Sequence, residues 1–209
     1  MDLILKHFPD LTDQQIDQYT QLWDLYQEWN QKINVISRKD IDNLYPHHVL
    51  HSLCIAKFIT FVPETKVLDL GTGGGFPAIP LAILFPDVHF TAVDGTRKKI
   101  TVVNEVATAL GLKNIRPIHT RAEEHKETFE FVVTRAVATS DKLVAWTERS
   151  IDINEHKNIL PNGIIALKGG NPKNETKTLS KKAYTETKSL IKIIPEPCFE
   201  DKYILYIQR

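Results

Sequence analysis

The chain has 209 residues, 42% hydrophobic and 25% charged, enough for one full core with at most a small helical annex. Its 26 basic and 26 acidic side chains cancel, which excludes the uniformly basic character of a protein that wraps naked nucleic acid, so an RNA partner would have to be held by a local patch. No apolar stretch approaches the roughly 18 residues of a membrane span, and "MDLILKHFPDL" has no basic leader and no small-residue cleavage site, so a cytoplasmic protein without a membrane partner is expected.

Thr12 to Gln31 reads as a helix. Thr12 and Gln15 form a capping box, Leu11 and Ile16 can staple it, and Ile16, Tyr19, Leu22, Tyr26, Trp29 and Ile33 recur at helical spacing. The segment 33–46 is less regular, Pro46 closes it, and a second helix is expected from about His47 to Phe61. Residues 1–62 therefore read as an N-terminal helical cap whose aromatic stripe needs a surface to cover. Pro63 marks the border of a second unit, 63–209, in which strands and helices alternate. Strand Lys66–Leu70 leads through a glycine loop to a helix near Pro77–Phe85, and strand His89–Val93 leads to a helix over Lys98–Leu110. Strands Ile115–His119 and Phe131–Thr134 follow, then a helix from Ser140 to Asn154, the turn "LPNG" and strand Ile164–Lys168. Such repetition calls for a largely parallel sheet with helices on both faces.

The tail differs. Gly169–Tyr184 is polar and opens on glycines, and mobility is expected in part of it. Lys168 to Lys182 carries five lysines and a single acid, Glu175. Ser189–Ile194 and Tyr203–Gln208 read as two strands, antiparallel because "PEPCFED" joins them directly. The expected fold class is α/β and Rossmann-like: a seven-stranded, mostly parallel sheet with a C-terminal antiparallel pair, as in class I S-adenosylmethionine-dependent methyltransferases.

Cys54 and Cys198 match no metal spacing. His47, His48 and His51 can share a helix face, but no cysteine or carboxylate stands at a ligating distance along the chain, so no metal is expected.

The stretch "DLGTGGGFPAIPLAI" raises a sharper question, since it places four glycines at 71, 73, 74 and 75 between a strand and a helix. Glycines there permit a sharp turn and let a ligand approach the main chain. Asp69 at the strand end could meet an amino or cationic group, or simply cap the following helix. Asp94, ending the next strand, stands where a carboxylate meets ribose hydroxyls. Pro77 and Pro80 remove amides that a pyrophosphate would use, and no Walker lysine is present, so S-adenosylmethionine suits the loop better than a dinucleotide. At the third strand's end, main-chain groups around Ala122 and Glu123 either read an adenine edge or open a capped helix.

Arg135 ends the fourth strand, at the sheet edge where ligands collect, and Lys168 ends the fifth. Both are candidate substrate-positioning cations; for Arg135 the alternative is a salt bridge to Asp69 or Glu123. No N/D-P-P-Y/F stretch is present to hold an exocyclic amine, no cysteine sits where a pyrimidine could be attacked, and no general base stands out. Guanine N7 fits that absence, because its lone pair is free at neutral pH and positioning alone can drive attack.

The stretches "WNQKINVISRKD" (29–40), "HHVLHSL" (47–53), "VLDLGTGGGFPAIPLAI" (67–83), "VDGTRKK" (93–99), "TRAEE" (120–124), "TRAVA" (134–138) and "ALKGG" (166–170) closely resemble the bacterial 16S rRNA guanine-N7 methyltransferases of the GidB/RsmG family. The resemblance implies methyl transfer from S-adenosylmethionine to the guanine numbered 527 in 16S rRNA of the small ribosomal subunit or its precursor, leaving S-adenosylhomocysteine. It further implies that Gly71, Gly73 and Gly75 line the methionine end of the cofactor with Phe76 beside it. Asp94 would hold the ribose, and Ala122 and Glu123 would border the adenine. Arg135, supported by Lys168, would face the substrate, with Asn34, Arg38, His48 and Ser52 near the entrance. Three positions depart from the pattern, since relatives often carry Asp at His51, proline or alanine at Gly74 and serine at Gly95. A different acceptor for the same cofactor, on RNA or a small molecule, and a cofactor-binding ribosome-assembly factor are the competing readings. A monomer without a DNA partner is expected.

Overall fold

The computed structural model describes residues 1–121, 124, 127–177, 179, 180 and 183–209. Its centre is a seven-stranded sheet: β1 (Lys66–Leu70), β2 (His89–Asp94), β3 (Ile115–His119), β4 (Phe131–Arg135), β5 (Gly163–Gly169), β6 (Thr185–Ser189) and β7 (Lys202–Gln208), ordered β3-β2-β1-β4-β5-β7-β6. The first five strands pair in parallel, while β7 runs antiparallel to both β5 and β6. The chain moves outward from β1 to β3, then returns to place β4 on the other side of β1. The order therefore reverses between β1 and β4, which is where open sheets form their binding crevice.

Both faces are covered, so the central strands are continuous apolar runs whose alternate residues enter different cores. Val67, Phe131, Val133, Ile165, Leu167, Ile204 and Tyr206 join one buried cluster. Leu68, Val132, Ile164, Ala166, Leu205 and Ile207 join the other, with Leu143.

The first cluster also contains the N-terminal helices. Helix α1 (Asp2–His7), which the sequence pattern did not reveal, buries Ile4. Helix α2 (Asp13–Lys32) starts on the expected capping box and buries Tyr19, Leu22 and Tyr26 against α4 (Ala78–Leu84). Its polar side chains close the ends of neighbouring helices. Gln15 donates to the Ile83 and Leu84 carbonyls, and Gln18 donates to that of Leu110, just past α5 (Arg97–Ala109). These are orphan carbonyls that a helix end must otherwise leave to water.

Three expectations differ from the structure. The helix anticipated from His47 to Phe61 begins earlier, as a wide π-type stretch at Leu44–Leu50, and continues as α3 (His51–Phe58). Pro46 sits in its first turn, where no amide donor is required. Helix α6 (Ser140–Thr147) stops short of Asn154 because Ile151 is drawn into a bridge with Phe129. Ser189–Ile194 is not a strand: β6 precedes it, and Leu190–Ile193 forms α8, burying Leu190 and Ile194 four residues apart. The true edge strand, Thr185–Ser189, is polar because its outer side has no neighbour, and charged edges resist mispairing. Within the polar stretch 169–184, Asn171 caps a short helix α7 (Pro172–Thr176).

Candidate active site

The site begins where β1 ends. Asp69 is fully buried, and its Oδ2 accepts from the Thr72 hydroxyl at 2.7 Å and from the Ala78 amide at 2.9 Å. It thereby ties the glycine loop to the first turn of α4, the capping role rather than an open ligand contact. Its Oδ1 is buried with no partner among the described residues. Burial pushes the carboxyl up to about 7, against the hydrogen bonds from Thr72 and Ala78 and the charge of Arg135.

Asp94 closes β2 beside the loop. Its Oδ2 accepts from the Gly73 amide at 3.1 Å, its Oδ1 accepts from the Thr96 amide at 2.8 Å, and Lys99 Nζ lies 3.6 Å from Oδ2.

Gly71, Gly73 and Gly75 hold φ of 71°, 59° and 101°. What a Cβ would meet separates their roles. At Gly75 it would stand 2.5 Å from Ile79 Cδ1 and 3.1 Å from the Tyr26 hydroxyl, and at Gly74 it would stand 2.9 Å from Val35 Cβ. These two glycines let the cap close on the loop, an arrangement sealed by the Tyr26 hydroxyl donating to the Gly74 carbonyl at 2.6 Å. A Cβ on Gly71 would stand 2.6 Å from Cγ2 of Val137, which covers it. At Gly73 a Cβ would meet nothing within 4 Å among the described residues. Of the four, Gly73 leaves its approach open.

Phe76 follows, buried, with its ring 4.9 Å from Tyr26 and 5.3 Å from His48. Over the same ring, at 5.1 Å, lies the Arg135 guanidinium. Arg135 stands at the end of β4, across the crevice from the loop. It makes no ion pair with Asp69; instead NH1 donates to the His47 carbonyl and NH2 to His48 Nδ1, both at 3.1 Å. Its other anticipated partner, Glu123, lies outside the described residues, as does Ala122.

The carboxylate that spacing along the chain does not place beside the histidines is Asp40, which meets His47 Nδ1 at 2.6 Å and His48 Nε2 at 2.8 Å. Burial and the Arg135 charge bring His48 down to about 4, although Asp40 opposes them. Among the described residues no group of three or more His, Cys, Asp or Glu side chains is arranged to hold a metal ion.

Two expected substrate-side residues are placed differently. Lys168 is buried, and its Nζ donates to the Ala138 carbonyl and, at 3.1 Å, to Glu175, whose carboxylate also accepts from the Ser140 hydroxyl at 2.6 Å. An interior ammonium needs a counter-charge, and the single acid of the lysine-rich stretch supplies it, joining β5, α6 and α7. Ser52 is fully buried and donates to the His48 carbonyl one turn back, so it lies within α3 rather than at an entrance. Asn34 and Arg38 are exposed on the cap, and Arg38 lines a cavity of about 350 Å³ with Asn30 and Ile41. A groove of about 480 Å³ lies instead at the opposite, amino-terminal ends of β1 and β2, between Lys66, His89 and Arg116.

His51 packs on Phe199 at 5.6 Å, and its Nε2 is buried without a partner among the described residues. Burial, reinforced by Arg135 and Lys202, brings its pKa down to about 3. The unfolded chain then binds a proton that the folded ring refuses, so His51 costs the fold stability as pH falls from about 6.5. His48 acts in the same direction and Asp69, raised by burial, acts in the other. His51→Leu is therefore expected to stabilise more at pH 5 than at pH 8 in denaturant titrations, and an equal gain at both would contradict this.

Residues 13–196 match the family model described as GidB, rRNA small subunit methyltransferase G. The chain belongs to the GidB family. A ribosomal RNA small subunit methyltransferase G from Bacteroides thetaiotaomicron is 54% identical over 208 residues, covering 100% of both chains, and that from Flavobacterium johnsoniae is 50% identical, covering 99% of this chain and 97% of its own. Among solved structures, a SAM-dependent methyltransferase from Aquifex aeolicus aligns with TM-score 0.59 at 14% identity, covering 82% of this chain and 98% of that one. TrmN from Thermus thermophilus aligns at 0.57 with 15% identity, over 77% of this chain and 48% of its own. At such identities these structures speak for the fold alone. This GidB-family protein is thus a class I, S-adenosylmethionine-dependent methyltransferase acting on 16S rRNA.

Proposed function

We propose that the protein methylates N7 of a guanine in 16S rRNA, the one numbered 527, using S-adenosylmethionine and releasing S-adenosylhomocysteine. The observation that carries the cofactor side is Gly73. A positive φ and open space at its α-carbon, with Asp94 bound to its amide, make a cradle that a Cβ would fill. Asp94 is the residue to hold the ribose hydroxyls, and the loop from Gly71 to Gly73 is the surface for the methionine end. When bound, S-adenosylmethionine supplies a methyl group made electrophilic by its sulfonium.

The rest falls to this chain's own residues. Guanine N7 offers an in-plane lone pair and loses no proton on attack, so positioning suffices. Arg135, fixed over Phe76 at the end of β4, is placed to hydrogen-bond the base through donors that His47 and His48 leave unused. A guanidinium next to O6 opposes the positive charge arriving on the ring, so its role is orientation rather than charge stabilisation. Lys168, held by Glu175, fixes the segment from Ala138 to Ser140 behind it. Exposed Lys173 and Lys177 supply local phosphate contacts that a chain without net charge otherwise lacks; Lys181 and Lys182 of the same lysine-rich stretch lie outside the described residues. Burial of Tyr19, Leu22 and Tyr26 within the chain's own core favours a monomer, and the balanced charge favours an enzyme that meets its RNA already folded in the small subunit or its precursor, an acceptor that belongs to the cytoplasm.

The test uses small subunits from cells lacking this methylation, incubated with the pure protein and radiolabelled methyl donor. Label recovered on a single guanine N7 after nuclease digestion is expected. Label on a ribose, an exocyclic amine or a different base would overturn the assignment, and donor binding without transfer would favour an assembly factor.

A further inference from the structure

We propose that Asp40 is a positioning residue for methyl transfer, acting through His48 to aim Arg135; the proposal rests on Arg135 being the substrate-side residue. Arginine nitrogens only donate. With Arg135 NH2 3.1 Å from His48 Nδ1, that ring nitrogen must present its lone pair, and the proton of the neutral imidazole must sit on Nε2. Nε2 lies 2.8 Å from Asp40 Oδ2, which accepts that proton's hydrogen bond. The relay therefore has one direction, from guanidinium to imidazole to carboxylate.

Asp40 is itself held on both oxygens. His47 Nδ1 reaches Oδ1 at 2.6 Å, and Asn43 donates to the same oxygen at 3.2 Å. His47 returns to the cluster through its carbonyl, which takes the second Arg135 contact at 3.1 Å. One carboxylate of the cap thus orders two successive residues, His47 and His48, and each of them holds one nitrogen of the guanidinium. The Phe76 ring fixes its plane from the other side. Without the carboxylate the imidazole is free to carry its proton on Nδ1, and an N–H would then point at a cation. The partly exposed position of Asp40 leaves its substitution tolerable to the fold.

The experiment uses the full chain with ¹⁵N-labelled histidine. In the wild type at pH 7, His48 is expected to show an unprotonated Nδ1 and a protonated Nε2. Asp40→Asn is expected to lower kcat for transfer to unmethylated small subunits by about tenfold, with KM and the affinity for S-adenosylmethionine nearly unchanged. In an Arg135→Ala background the same change is expected to cost less than about twofold, because a residue acting only through Arg135 has nothing left to aim. A purely structural role would add in both backgrounds, and an additive result overturns the proposal. So does a His48 proton on Nδ1 in the wild type, which needs no variant to fold. If the wild type itself fails to label guanine N7, the reading of the reaction is lost, while the tautomer still decides whether the relay exists.

Discussion

Gly75→Ala is expected to destabilise the protein by about 3–5 kcal/mol, whereas Gly73→Ala is expected to cost about 1 kcal/mol and to act mainly on cofactor binding. Both residues have positive φ, but they differ in two respects. Gly75, at 101°, lies beyond the left-handed helical region that other residues occasionally adopt, while Gly73, at 59°, lies within it. A Cβ on Gly75 would collide with Ile79 of α4, a buried side chain in a close-packed core, and would press on the Tyr26 hydroxyl that anchors the cap. Backbone strain and overpacking then add. For a chain of this size the corresponding fall in Tm is roughly 10 °C or more. Gly73 has no such neighbours, and its alanine methyl would project into the cradle itself. Differential scanning calorimetry and a titration with S-adenosylmethionine on both variants separate the two effects. Similar Tm losses, or unchanged cofactor affinity in Gly73→Ala, would mean that the cradle does not open where Gly73 stands.

That contrast also marks how far the sequence could be read. Strands β1, β2, β4 and β5 were legible because strands buried on both faces of a sheet are apolar runs, and β3, an edge strand with only partial burial, was legible from its place after α5 in the alternation. Helix α2 was legible through Thr12 and Gln15. Short elements escaped: α8 is a single turn whose period needs more residues to show, and β6 is polar because it is an edge. The glycines looked alike in the sequence, since a requirement for positive φ and a requirement for close packing select the same residue.

The site was half legible for a related reason. Asp69, Asp94 and Arg135 could be found because strand ends in an open sheet converge on one edge, but what each touches depends on how the following loop turns and, for Arg135, on His47 and His48 far along the chain. Asp69 turned inward to Ala78, and Lys168 turned to Glu175 seven residues on. Asp40 was invisible because the wide turns at Leu44–Leu50 set His47 and His48 facing back across the turn at Ile41–Asn43, a geometry that regular helical spacing does not describe.

Arg135→Ala and Asp94→Ala are expected to fail in different ways, and the difference tests the division of the crevice. Asp94 accepts hydrogen bonds from the amides of Gly73 and Thr96, so its loss loosens the loop as well as removing the group proposed to hold the ribose. Charged hydrogen bonds of this kind contribute about 1.5–3 kcal/mol each, so affinity for S-adenosylmethionine should fall by about tenfold or more. Arg135 hydrogen-bonds the cap, through His47 and His48, and meets the loop at the ring of Phe76, without a hydrogen bond to Gly73 or Asp94. Its removal should leave cofactor affinity within about threefold of the wild type, while kcat on small subunits falls by about 10²-fold, the scale of losing one oriented group from a reaction driven by positioning. A second signature follows from electrostatics. Burial is the larger cause that lowers His48, but the Arg135 charge adds to it and Asp40 pulls the other way. Deleting Arg135 should therefore raise the His48 pKa from about 4 toward its ordinary value, which a ¹⁵N titration of the imidazole would follow. Asp94→Ala should leave that titration in place, since its contacts lie on the far side of Gly73. Equal loss of cofactor affinity in the two variants, or an unmoved His48 in Arg135→Ala, would show that cofactor and substrate do not divide along the line between β2 and β4.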